Sequence, residues 1–128
     1  MKKQRGVIFL YHGSAGPEWA GATSALAESI VRDMPGILAQ TACLKEFSPD
    51  IMEAAERLAS QGVEEALVVP MFIAPGGHAQ KDIPQLKAAL QQRFPAVRFE
   101  WAEVFGMWEE ALKAAVAGTR ERLSRLQA

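Results

Sequence analysis

The 128-residue chain has 14 basic and 15 acidic side chains, a net charge of −1 at pH 7, and a 49% hydrophobic composition. These values describe one soluble globular domain, residues 1–128, able to bury a single core and lacking the basic footprint of a nucleic-acid binder. The one cysteine, Cys43, excludes an internal disulfide and a cysteine-built metal cluster, and the apolar run that stops at His12 is too short for a membrane span, so a cytoplasmic protein is expected.

Gly6 to Tyr11 (GVIFLY) reads as a first strand that delivers His12 into the small-residue turn His12-Gly13-Ser14. From Pro17 to about Met34, Trp19, Ala22, Leu26 and Ile30 recur at helical spacing with Glu28, Arg32 and Asp33 between them, until Pro35-Gly36 stops the helix. Ile37 to Leu44 is a second strand, with Cys43 as a buried member and Lys45-Glu46-Phe47 at its carboxyl end. Ser48-Pro49 reads as a cap and first-turn proline, and Ile51, Ala55, Leu58 and Ala59 form the next buried stripe before Gly62.

The stretch Val68 to Pro84, VVPMFIAPGGHAQKDIP, organises the rest. Its apolar run is that of a strand covered on both faces in a parallel sheet, and Pro75-Gly76-Gly77 ends it. The paired glycines are expected to adopt conformations closed to other residues and to bring backbone amides close to a ligand. His78 follows at once, and Asp82 with Pro84 marks a helix start, the helix running from about Ile83 to Phe94 on Ile83, Leu86, Leu90 and Phe94. Val97 to Ala102 alternates as an edge strand with one wetter face, Phe105-Gly106 turns the chain, and a last helix from about Met107 to Leu126 is expected to bury Trp108, Leu112, Ala115, Val116, Thr119 and Leu123.

Four β-α units in series, joined by right-handed crossovers, predict an α/β three-layer sandwich with a four-stranded parallel sheet of order 2-1-3-4. In such sheets ligands bind beyond the carboxyl ends of the strands at the switch point, here between strands 1 and 3. The only two histidines, His12 and His78, both fall there, and Glu46 ends the strand beside them. A lone histidine after a strand is commonly a hydrogen-bonded structural residue. Two of them opening onto one crevice point to metal binding or acid-base work, and imidazole with a carboxylate suits Fe, Co, Ni or Zn. Glu46, beside Lys45, also reads as a solvated surface charge, as does Lys81 next to the central loop. HGSAG lacks the glycine a nucleophile elbow needs where His12 stands, and neither phosphate-loop pattern occurs.

At LYHGS, LKEFSPDI and VVPMFIAPGGHAQKDIP the sequence resembles the short, single-domain CbiX-like class II chelatases, the sirohydrochlorin cobaltochelatases and ferrochelatases, over about Gly6 to Phe105. The resemblance implies a chelatase-like half domain, an enzyme of the lyase type that inserts a divalent metal (Co2+, Fe2+ or Ni2+) into sirohydrochlorin or a related tetrapyrrole of cobalamin or siroheme biosynthesis. No ATP and no organic cofactor are implied. His12 would be metal ligand and proton acceptor, His78 the second ligand, and Glu46 a metal or substrate contact. Ile73, Ala74, Pro75, Gly76, Gly77 and His78 would line the substrate. Longer members hold two such domains, so a homodimer with its cleft between the strand-end loops is implied. The chain has Ala15 where the family often has arginine, Met107-Trp108 where it often has histidine-proline, and Lys45 in place of an apolar residue. These departures keep a non-catalytic metal or tetrapyrrole carrier as the alternative, and a flavodoxin-like phosphate or nucleotide binder as a third reading.

Overall fold

Apolar runs without helical period become the strands, and right-handed crossovers join them into a parallel sheet. The computed structural model describes residues 3–13, 17–44 and 48–126, with the backbone alone for residues 17–20 and 78–80. Strands β1 (Arg5–Tyr11), β2 (Ile37–Cys43), β3 (Glu65–Pro70) and β4 (Arg98–Trp101) form a parallel sheet of order β2-β1-β3-β4. Helices α1 (Pro17–Asp33), α2 (Ile51–Ser60) and α3 (Gly77–Arg93) connect them, and a 3-10 turn at Phe105–Met107 leads into α4 (Glu109–Arg125).

The alternation of side chains along each strand divides the apolar residues between the two faces. Ile8, Leu10, Ala66 and Val68 pack against Ile51, Ala54, Ala55 and Leu58 of α2 and Leu90 of α3. Val7, Phe9 and Val69 point the other way, toward Leu26, Ala27 and Ile30 of α1. β1 is the hub, buried from Gly6 to Leu10. A Cβ at Gly6 would lie 3.1 Å from Leu58 Cδ1, so the small residue lets α2 approach β1. At the β4 edge Phe99 and Trp101 turn toward the larger cluster, while Arg98 and Glu100 face outward, as the alternation predicts.

Three sequence expectations are corrected. α2 is capped by Asp50, not Ser48: the Asp50 carboxylate accepts from the Glu53 N–H at 2.9 Å, and Glu53 Oε1 accepts from the Asp50 N–H at 3.3 Å. A carboxylate cap with glutamate three residues on satisfies two helix-end donors reciprocally, and Ser48 Oγ donates to Glu53 Oε2 at 3.0 Å instead. α3 starts at Gly77 rather than Ile83, which places Pro84 inside the helix. Ala79, Gln80 and Lys81 are good helix formers and extend the helix toward the glycine turn. The third correction concerns α4, which buries none of its residues, because it leaves the 3-10 turn away from the sheet and contacts chiefly that turn.

Leu58 is 1% exposed and joins α2 to both β1 and the turn at Val63. Leu58→Ala should lower unfolding stability by about 2–5 kcal/mol in a urea titration, the range for a core leucine whose cavity cannot collapse. A loss well under 1 kcal/mol would show that α2 is not clamped to the sheet in this way.

Candidate active site at the carboxyl edge of the sheet

The chain leaves β1, β2 and β3 side by side. Tyr11 is in register with Cys43 and Leu10 with Pro70, and the ladder extends one residue beyond each strand, with Leu44 N–H donating to Tyr11 O at 2.8 Å and Met71 N–H to Leu10 O at 2.7 Å. His12 is therefore held at the exit of the central strand, and its side chain is exposed. Gly13 has φ 107°, a left-handed conformation that L side chains rarely adopt, so the turn after the histidine needs glycine.

Beyond β3, residues Ile73 to Gly77 are exposed, with Ile73 at 82%. Gly76 caps α3 at φ −113° and ψ 159° with no side-chain hydrogen bond to the first turn. The helix thus opens toward the same edge with its first-turn amides uncapped by a side chain, an arrangement that favours negative groups. His78 is the second residue of this helix, and its backbone lies in the first turn; its side chain is outside the described set. Lys81 is exposed one turn further on.

The expectation for the paired glycines is corrected in its cause. Neither has a positive φ, and a Cβ built on Gly76 or Gly77 meets nothing within 4 Å. Their effect is to leave space open in front of the loop rather than to permit an unusual backbone. The residue that braces the loop is Gly106, which the sequence marks only as a turn: its N–H donates to Phe72 O at 2.8 Å, and a Cβ there would collide with the Ile73 carbonyl. Trp108 fixes the same segment, its indole N–H donating to Glu103 O at 2.8 Å and its ring lying 5.3 Å from that of Phe105.

The structure brings His12 and the helix start that bears His78 to one edge of the sheet. Glu46 falls outside the described residues, as do Ser14, Ala15 and Lys45. Among the described residues no group of three or more His, Cys, Asp or Glu could hold a metal ion. Cys43, next to this edge, is buried, and burial together with the neighbouring Asp50 carboxylate pushes its thiol pKa up. Burial likewise raises the Tyr11 hydroxyl, which stays a neutral phenol at pH 7.

In a parallel α/β sheet, ligands bind beyond the carboxyl ends of the strands at the switch point, and here that place holds His12 and the start of α3. The CbiX family model matches residues 6–122, and the chain belongs to that family. Two curated relatives come from Priestia megaterium. One, a sirohydrochlorin cobaltochelatase, is 26% identical over 110 residues, 85% of this chain and 35% of its own. The other, a sirohydrochlorin ferrochelatase, is 27% identical over 115 residues, 90% of this chain and 43% of its own. The chain thus spans well under half the length of either. A crystal structure of a CbiX protein from Marinobacter aquaeolei VT8 superposes with a TM-score of 0.81 at 30% identity, covering 94% of this chain and 98% of that one.

Two outcomes test this geometry. Gly77→Ala should stay within about 1 kcal/mol of the parent in chemical denaturation, because alanine is the better helix former and its methyl meets open space; a larger loss would mean the glycine holds the backbone. Cys43 should resist iodoacetamide in the native protein at pH 8 and react on unfolding, because its side chain is buried and burial raises its pKa, keeping the thiol protonated. Rapid native alkylation would place it at the surface.

Proposed function

We propose that the chain inserts a divalent metal ion, Co2+, Fe2+ or Ni2+, into sirohydrochlorin or a related tetrapyrrole without ATP or an organic cofactor, as a single-domain cytoplasmic homodimer. The observation that supports this reading best is the exposed His12 at the end of the central strand, directly across the switch point from the uncapped start of α3. Two curated relatives are named for cobalt and iron insertion into this macrocycle.

The chemistry follows from the charge balance. A metal dication entering the macrocycle replaces two pyrrole N–H protons, so the site must deliver a cation and accept protons at the same place. A neutral imidazole can do both near pH 7, one lone pair serving first the metal and then one of the two protons, while the second proton passes to water. His12 carries this role as metal ligand and proton acceptor, with His78 as the second ligand and Glu46 as a further metal or substrate contact. Ile73, Ala74, Pro75, Gly76 and Gly77 face the substrate: the exposed Ile73 side chain offers an apolar surface to a flat ring, and the open space before the glycines lets a ring edge reach backbone amides. The α3 N-terminus and Lys81 suit peripheral carboxylates. Imidazole and carboxylate select only weakly among Fe, Co and Ni, so metal identity is set by supply and by the rate of entry.

No helix among the described residues is long and apolar enough to cross a membrane. The site is an open edge, and a wide flat ligand is covered on most of its surface only when a second wall is present. A second copy supplies that wall by two-fold symmetry.

Purified protein mixed with sirohydrochlorin and Co2+ should accelerate the absorbance change of metalation over the spontaneous rate, through many turnovers. His12→Ala should lose at least 10-fold of that acceleration, a conservative figure for removing a positioned base, and Gly77→Ala should slow it while leaving the fold intact. Equal rates with and without protein across all three metals would overturn the reading, and a single stoichiometric transfer would identify a carrier.

A further inference from the structure

Asp82 does not have the role that its place in the sequence suggests. An aspartate two residues before a proline reads as a helix cap, yet α3 begins at Gly77, so Asp82 stands in the second turn, beyond the first-turn amides that a cap serves. Aspartate is a poor helix former at such a position. It is also half-buried, with its Oδ2 shielded from solvent. A carboxylate turned inward rather than toward water is held by the groups it faces.

Its row on the helix points to one of them. Residues four apart stack one above the other on a helix, so His78, Asp82, Leu86 and Leu90 form a single row along α3. At the foot of the row Leu90 is fully buried, and Leu86 is half-buried against the core cluster that holds Ile8, Leu10 and Val68. The row thus rises from the sheet-facing side of α3 to the carboxyl edge, and Asp82 is the step between the core and His78. On the helix surface the neighbours of position 82 are positions 78, 79, 85 and 86, whereas the adjacent Lys81 does not face it. Ala79 and Leu86 have no polar side-chain atom, and Gln85 is exposed, which leaves His78 as the donor that α3 itself offers. Helical side chains lean toward the N-terminus, so the Asp82 carboxylate lies over the turn that carries His78.

We propose that Asp82 is a positioning residue whose carboxylate accepts from the Nδ1–H of His78, fixing the tautomer of the imidazole and turning Nε2, with its lone pair, toward the carboxyl edge. Nδ1 is at the root of the ring, within reach of a group one turn along the same helix, and Nε2 is at its tip. A histidine that works through one nitrogen is oriented by the hydrogen bond that the other makes, and a carboxylate acceptor raises its basicity. Asp82 itself touches neither metal nor substrate. That Nε2 then holds a metal ion rests on the chelatase reading; the pairing of the two side chains does not.

The protein has two histidines, so a long-range proton–nitrogen correlation spectrum shows two imidazoles, and His78→Gln assigns them. At about pH 9, where an ordinary imidazole is neutral, His78 of the parent should be the Nδ1–H tautomer. Asp82→Leu keeps the volume beside Leu86 and removes the acceptor. It should move His78 to the Nε2–H tautomer that a histidine in water prefers, leaving His12 and the helical circular dichroism unchanged. Asp82→Asn retains an acceptor oxygen and should stay nearer the parent. In Co2+ titrations followed by calorimetry, Asp82→Leu should bind about 10-fold or more weakly than the parent, the lower end for losing a carboxylate behind a ligating histidine. An Nε2–H tautomer for His78 in the parent overturns the pairing, and that spectrum stands alone should Asp82→Leu fail to fold. A tautomer unmoved by Asp82→Leu, or equal Co2+ affinities in the two proteins, would overturn the positioning role. A parent that shows the pairing yet binds no Co2+ would uphold it and overturn the chelatase reading instead.

Discussion

The parallel pairing of β1 with β3 is the constraint on which the rest depends. Because β2 lies on the other side of β1, the chain must reverse its direction of travel across the sheet after the second strand. Right-handed crossovers then send α1 to one face and α2 and α3 to the other. The same reversal leaves the exits of β1 and β3 diverging above the sheet, so a side chain at the end of β1 and a helix N-terminus after β3 face one crevice. Full burial of Ile8, Leu10, Val68 and Val69 within this pair holds the two exits at fixed spacing. The candidate site thus stands on fully buried strands, a rigid base for the residues at its rim.

Much of this was legible in the sequence, for identifiable reasons. Buried parallel strands read as unbroken apolar runs, so GVIFLY and the run through Val68-Val69 announce themselves. The order 2-1-3-4 set both histidine turns at one switch point, and His12 and His78 stood out as the only residues of their kind, each beside glycine. The helix starts were harder to read. A Ser-Pro pair and an Asp-x-Pro pair both imitate a cap, and the Asp50–Glu53 box and the formers after Gly77 each displaced the boundary by satisfying the first-turn donors better or lengthening the helix. Glu46 and the side chain of His78 lie outside the described residues, so the carboxylate and second imidazole rest on the sequence alone.

The glycines separate three physical uses of one residue. Gly13 supplies a left-handed backbone beside His12, Gly6 makes room for Leu58, and Gly76 and Gly77 leave the front of a loop empty. A sequence shows only that glycine is present, so conformation, close approach and clearance are indistinguishable there. Gly106 is a second case of close approach, and it joins elements far apart in the chain: the turn after the edge strand presses on the loop after β3. The shape of the loop after β3 is therefore set by the segment that also launches α4.

That shared segment also carries α4, which buries none of its residues. Helical periodicity reports that α4 has an apolar side, but it carries no information about what that side meets. At the start of α4, Gly106, Trp108 and Phe105 hold the chain in place. A load on α4 is thus carried through Trp108 to the Phe72–Ile73 backbone at the rim of the active edge. The turn that launches α4 therefore also braces the loop after β3, so the two segments share one anchor.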